Sequence, residues 1–155
     1  MPTPDFVLRL RRRIGHDPLW LSGVTALIVQ DGQVLLVRRA DTGAWTPVTG
    51  IIEPGEQPSV TAIREAREET GVRIRVDRLV RVRTLPPVTY PNGDQCQYLD
   101  VCLACHPLGG QEPRIGDDEN TDAGWFPLDA LPDGTTERTR SDLATLLRGG
   151  PAVVG

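Results

Sequence analysis

GIIEPGEQPSVTAIREAREETGV, residues 50–72, decides how this chain is read. It carries Glu53, Glu56, Glu65, Glu68 and Glu69, and the last three fall at spacings i, i+3 and i+4, one face of a helix. At about 100° per residue these three carboxylates share an arc of roughly 100° on a single turn. Val60, Ile63, Ala66 and Thr70 lie on the opposite arc, so the helix is expected to bury that side and turn its carboxylates toward a common point. Gly50 and Gly55 permit tight turns before the helix, Pro58 suits its first turn, and Gly71 stands where a left-handed C-cap belongs.

Grouping like charges in this way is unfavourable by about 0.2–0.5 kcal/mol per exposed pair, and by more when the groups are desolvated. A hard divalent cation with oxygen ligands, Mg2+ or Mn2+, relieves that repulsion. The alternative is a solvated acidic face paired to local arginines, since Arg64 reaches Glu68 at i+4 and Arg67 is nearby.

The complete string separates the two. Gly50, five residues, Glu56, seven residues, and then Arg64-Glu65-Ala66-Arg67-Glu68-Glu69-Thr70-Gly71-Val72 resembles the signature of the Nudix hydrolase family at every fixed position, and the resemblance extends from about Val24 to Pro132. The lead-in Val48-Thr49 departs from the commonest family form, Pro-Gly, without touching a metal ligand. The resemblance implies an α/β fold, a three-layer α/β/α sandwich with a mixed β-sheet between the helix of residues 58–70 and a C-terminal helix. It also implies Mg2+ or Mn2+ as cofactor, held by Glu65, Glu68 and Glu69, with Glu56 joining directly or through water. Arg64 would orient Glu68 or a neighbouring glutamate. Hydrolysis of a phosphoanhydride bond in a nucleoside diphosphate-linked substrate follows, such as an NTP or dNTP, ADP-ribose or a nucleotide sugar. In this family an acidic residue from a later loop often completes the metal shell or acts as general base. That points to Glu119, in the trio Asp117-Asp118-Glu119, with a box glutamate such as Glu68 or Glu69 as the other source of the base. Substrate contacts are expected from Arg38 or Arg39 at a strand end, from Trp45 and from Gly50. For Trp45 core packing is the preferred reading and contact with the substrate the other.

Composition sets bounds without naming a substrate. The 155 residues make one domain, expected as an N-terminal helix and lead-in over 1–20, the hydrolase domain over 21–150 and a frayed tail over 151–155. Formal charge is −4, which gives no general attraction to nucleic acid or to an anionic membrane. All 17 basic residues are arginine, so neither a P-loop lysine nor a Schiff-base lysine is available. With no 18-residue apolar run and no signal-peptide core, the expected location is cytoplasmic. Three cysteines do not make a disulfide framework. Cys102-Leu-Ala-Cys105-His106 spells a c-type haem motif, but it sits in a segment that reads as a buried strand, and core packing is the preferred reading.

Along the chain, Phe6, Leu10 and Ile14 form an apolar stripe on a helix over 4–14, with Arg9, Arg11, Arg12 and Arg13 around it. That stripe could pair two copies in a homodimer. Val24–Val29 and Val34–Val37 flank Asp31-Gly32, a hairpin signal. Residues 72–85 read as one or two strands and 97–106 as another, and 136–148 as a helix with Leu143, Leu146 and Leu147 inward. Tyr90 and Tyr98 are candidates for stacking on a base. Two other functional classes use the same signature: a non-catalytic nucleotide-binding module, and a pyrophosphohydrolase acting on RNA 5′ ends, against which the acidic charge and the absence of a basic groove argue.

Overall fold

The middle of the central strand is buried on both faces, and that sets the architecture. In the computed structural model, which describes residues 3–155, strand β1 (Leu19–Gln30) is buried without interruption from Gly23 to Ile28. Alternation disappears because both faces of the strand are covered. Asp31 and Gly32, with φ of 47° and 73°, then turn the chain into β2 (Gln33–Arg39), pairing Val29 with Val34. The Asp-Gly hairpin forms as its sequence predicts.

Among the described residues there follow β3 (Trp45–Thr46), β4 (Val48–Ile51), helix α2 (Pro58–Thr70), β5 (Ile74–Thr84), β6 (Val88–Thr89), β7 (Gln95–Pro107), β8 (Asn120–Pro127), helix α3 (Glu137–Arg148) and β9 (Val153–Val154), with helix α1 (Asp5–Ile14) preceding β1. The sheet runs β3-β2-β1-β7-β5-β9, with β4 paired to β1, β6 to β7 and β8 to β2. It is mixed: β1 and β7 run parallel from the Leu19–Cys96 pair to the Ile28–Cys105 pair, whereas β5 and β7 are antiparallel. Val24, Ala26 and Ile28 pack with Ala62 and Ala66 of α2, while Leu27, Cys102 and Val80 pack with Leu143 of α3. Helices on opposite faces of a mixed sheet give the expected three-layer α/β/α sandwich.

Cys102 and Cys105 belong to opposite faces, as their odd spacing on a strand requires, and both are buried and unpaired. Burial pushes the Cys105 thiol up to about 12, and the pair packs the core.

Several expectations are corrected here. In α1 Val7 is buried with Phe6 packed beside it in the same cluster, and Leu10 is exposed, so the Phe6–Leu10–Ile14 stripe is packed only in part; Met1 and Pro2 lie outside the described residues. In α3, Leu147 is exposed and the inward positions are Thr139, Asp142, Leu143 and Thr145, because Asp142 and Thr145 meet Arg81 and Arg83 of β5. Within residues 72–85 a single strand forms, β5, and bulges after Val76 and Leu79 carry Val80 from the α2 face to the α3 face. The tail expected to fray instead forms β9, which pairs with Arg81 and Val82 of β5 after Gly149 and Gly150 turn the chain at positive φ. No described helix is long and apolar enough to cross a membrane.

Candidate active site

Helix α2 is fixed at both ends. Pro58 opens it, and Gly71 closes it at φ 73°, donating its N–H to the Arg67 carbonyl at 2.9 Å. Its buried stripe is Thr61, Ala62, Glu65, Ala66, Glu69 and Thr70, while Val60 and Ile63 are exposed. Of the face expected to be buried, Ala66 and Thr70 are, while Val60 and Ile63 face out. Small side chains let the helix lie close to β4, and two carboxylates go inward with them.

Glu65 is 0 % exposed and Glu69 3 % exposed. Glu65 meets Gly50 of β4, and a Cβ at residue 50 would overlap its Cγ, Cδ and Oε1. The absence of a side chain at Gly50 is what makes room for this carboxylate. Glu68 is turned outward and half exposed, 3.4 Å from Arg64. The three carboxylates thus do not point to one place, and among the described residues no three His, Cys, Asp or Glu side chains form a finished metal cluster.

Arg64 knits the site together. Its Nε and Nη2 donate to the two oxygens of Glu56 at 2.8 and 3.0 Å, and its Nη1 donates to Oε1 of Glu65 at 2.8 Å. Glu56 also accepts from the Thr61 hydroxyl at 2.7 Å and the Glu53 amide at 3.2 Å. These bonds hold the Glu56 carboxyl well down, at about 2, led by the bond to Arg64. Both its oxygens accept hydrogen bonds from Arg64, so Glu56 anchors that guanidinium.

Burial pushes Glu65 up to about 7 despite the opposing Arg64 guanidinium. Glu69 goes up to about 8, first through burial and then through the charges of Glu65, Asp117 and Glu119. The amide of Asn120 donates to Oε2 of Glu69 at 3.2 Å. Oε2 of Glu65 is buried without a hydrogen-bond partner. A buried acceptor without a donor, beside a second buried carboxylate, is the donor chemistry that a hard divalent cation satisfies. The residues present fit such an ion.

The acidic loop reaches the site through its backbone. Arg114 N and Gly116 N donate to the Thr70 and Glu69 carbonyls at 3.0 and 2.9 Å, capping the last turn of α2. The Glu119 carbonyl accepts from Ala40 N at 2.8 Å. Glu119 is thereby brought within electrostatic range of Glu69 and of Arg39. Of the two arginines, Arg39 lines the adjoining cavity and is held by Asp41 in two 3.0 Å bonds, while Arg38 is exposed and donates to the Gly43 carbonyl at 3.2 Å. Arg38 is therefore not brought to the site. Nor is Trp45, for which core packing is the preferred reading: it packs edge-on against Phe126 at 4.8 Å in the α3-side core. Asn120, Gly116 and Thr61 were not singled out from sequence, and the one signal for the first two was their adjacency to the acidic trio, of which Asp117 is a member.

A cavity of about 780 Å³ opens beside this arrangement, with Gly50, Arg39 and Glu119 in its wall. Residues 20–147 match the NUDIX domain family model. The chain belongs to the Nudix family. It is 33% identical over 138 residues to a MutT-like protein of Streptomyces ambofaciens, covering 88% of this chain and 83% of that one. It is 30% identical over 115 residues to the NAD-capped RNA hydrolase NudC of Chromobacterium violaceum, covering 72% of this chain but 40% of that protein. The crystal structure of a MutT NUDIX hydrolase from Burkholderia pseudomallei superposes with a TM-score of 0.61 at 30% identity, covering 83% of this chain and 98% of that one. Nudix members of this kind are hydrolases, and this chain is one of them.

Proposed function

We propose that this Nudix hydrolase cleaves the phosphoanhydride bond of a small nucleoside diphosphate-linked substrate, with Mg2+ or Mn2+ as cofactor. The observation that carries the reading is the unpartnered Oε2 of Glu65 beside Glu69, both buried on a helix capped at its end. Glu65 and Glu69 would hold the ion, with Glu68 as the exposed third carboxylate of the set. When bound, the ion supplies neutralisation of phosphate charge.

The chain's own groups do the rest. Arg64 fixes the Glu65 carboxylate and is itself fixed by Glu56, so Glu65 cannot swing away. Arg39, held in orientation by Asp41, presents a guanidinium to the cavity for phosphate oxygens. Water adds to one phosphorus, the bridging P–O bond breaks, and two phosphate-bearing products leave. Glu119 accepts the proton of the attacking water, and a carboxylate of α2, Glu68 or Glu69, is the alternative acceptor. An intact carboxylate set on a rigid helix favours this reading over a non-catalytic binding module.

A second reading, cleavage at NAD-capped or triphosphorylated RNA 5′ ends, is favoured by the likeness to NudC. NAD and ADP-ribose share the pyrophosphate link between two nucleosides or sugars, so the small substrate and the capped end need one chemistry. The net charge of −4 favours the small substrate.

The test is release of phosphate or nucleotide from NTPs, dNTPs, 8-oxo nucleotides, ADP-ribose, nucleotide sugars, NAD and NAD-capped RNA, with Mg2+ and with Mn2+. Wild type should turn over at least one class, EDTA should abolish it, and Glu69→Gln should lose orders of magnitude. Turnover indifferent to EDTA or to Glu69→Gln would remove the basis of the proposal.

A further inference from the structure

Strand β5 is built the reverse of the usual way. Its arginines turn inward: Arg83 donates to both oxygens of Asp142 of α3 at 2.7 and 2.6 Å and to Asp100 at 3.2 Å. Arg81 donates to Asp142 at 3.1 Å and to the Thr145 hydroxyl at 2.8 Å. Their apolar neighbours face the other way. Val82 is paired with Val101 of β7 and Leu79 with Leu103, and both partners belong to the α2-side core, so Val82 and Leu79 lie on the α2 face of the sheet. Val154 of β9, paired with Val82, lies on it as well.

Helix α2 does not cover this part of its own face. It packs over Val24, Ala26 and Ile28 of β1 and over Ile74 at the start of β5, and Val101 at the border is only partly buried. Beyond that border Leu79 is 37 % exposed, Trp20 57 % and Val154 88 %. Trp20 shares the face because it stands an even number of residues before Val24 on one strand. Between these apolar groups the register sets Leu99 beside Ser22 and Thr84, and Gln97 beside Trp20. No position of the patch carries a charge. A sheet face left to water ordinarily shows its polar row outward. Here the charged row is inside and the uncharged row outside.

We infer that this face is the contact surface of a homodimer, in which two copies stack their β1-β7-β5-β9 sheets face to face with Trp20, Leu79 and Val82 at the contact. An uncharged surface offers nothing to a charged partner, whereas a second copy brings the same uncharged surface, which is what a two-fold contact requires. The size fits as well. Four strands about 4.8 Å apart and about six residues long make a plane of roughly 400 Å². Two such planes, with the relief of their side chains, bury about the 1,200 Å² at which specific interfaces begin. Helix α1 is the poorer candidate for pairing. Its Leu8 and Leu10 are exposed, but they stand among Arg9, Arg12 and Arg13, whose charges would meet their like in a second copy.

The test is sedimentation of the full chain from micromolar to a few hundred micromolar. Wild type should pass from a monomer of 17.0 kDa to a particle of twice that mass. Trp20→Glu and Leu79→Glu each set a charge against the partner's apolar patch, and each should weaken the dimer at least about thirtyfold. Their melting temperatures, read at monomeric dilution, should stay within about 2 °C of wild type. Should Leu79→Glu fail to fold, Val154→Glu takes its place at a position 88 % exposed. Leu147→Glu, on α3 and 59 % exposed, should leave the dimer intact. Tryptophan emission of wild type should move to the red on dilution, and that of Trp20→Phe should not. A wild type that stays monomeric throughout the range would overturn the assignment. So would open-ended growth, a dimer that survives either glutamate on the patch, a dimer lost equally in Leu147→Glu, or a red shift that persists without Trp20.

Discussion

Gly50 lies directly beneath the carboxylate of Glu65, so close that a Cβ on residue 50 would occupy the space of Glu65 Oε1 and Cδ. Those contacts involve the same Oε1 that accepts from Arg64. Gly50→Ala should therefore force Glu65 out of its hydrogen bond and away from Glu69, because β4 is fixed to β1 by the Gly50–Val24 pair. Activity should fall at least about 100-fold, as expected when a reacting group is displaced by about 1 Å. The melting temperature should fall as well, since a buried carboxylate loses its charged partner. Steady-state kinetics with thermal unfolding checks both, and wild-type kcat in Gly50→Ala would show that Glu65 does not need this seat.

The second prediction concerns pH. Glu65 and Glu69 have their carboxyls raised to about 7 and about 8, with burial the main cause in each. In the unfolded chain both titrate near the ordinary value of 4.5. Below that value they are protonated in both states and cost nothing. As pH rises through their folded values the native state has to bury the charges, and metal-free stability declines. The decline should lie between about pH 4.5 and pH 8 in EDTA. Glu69→Gln should flatten it and raise the metal-free melting temperature by roughly 3 °C or more at the alkaline end. Mg2+ should stabilise wild type more at the alkaline end than at the acid end. Scanning fluorimetry across this range decides: identical slopes for wild type and Glu69→Gln would mean that Glu69 is ionised without penalty.

Why the chain could be read so far, and no further, is visible in particular residues. Asp31-Gly32 and Gly71 were legible because each satisfies a local backbone demand, a hairpin turn and a left-handed cap, that no distant contact can overrule. The fold and the identity of the carboxylates followed from residues 50–72. The face of α2 was misread because apolar residues are ordinarily the buried ones; here Val60 and Ile63 face out, and the stripe of Thr61, Ala62, Glu65 and Ala66 faces in. No local pattern announces that a protein will bury its glutamates. Nothing in the spacing of Glu56 announces that both its oxygens accept from Arg64. The bulges that move Val80 across the sheet, and the pairing of Val153 with Arg81, depend on strands far apart in sequence. Asn120 and Gly116 act on Glu69 and on α2 only after the loop has docked.

That docking yields the third prediction. Gly116 donates its N–H to the Glu69 carbonyl, and a Cβ at residue 116 would collide with the backbone oxygen of Glu68. The obstacle is helix backbone, which cannot rotate aside as a side chain can. Gly116→Ala should lift the loop from the end of α2 and carry Asp117 and Glu119 away from Glu69. The expected result is a kcat lower by at least about tenfold with KM changed far less, because the groups displaced act on the reacting water and not on the bound nucleoside. Gly110 lies in the same loop, has no heavy atom within 4 Å of where its Cβ would stand, and needs no positive φ. Gly110→Ala should accordingly match wild type in kcat, KM and melting temperature. Comparing the two variants under saturating Mg2+ isolates the docking contact from any general effect of stiffening the loop. A Gly116→Ala enzyme with wild-type kcat would show that the acidic loop need not sit on α2 for turnover, and equal losses in both variants would place the effect in loop flexibility.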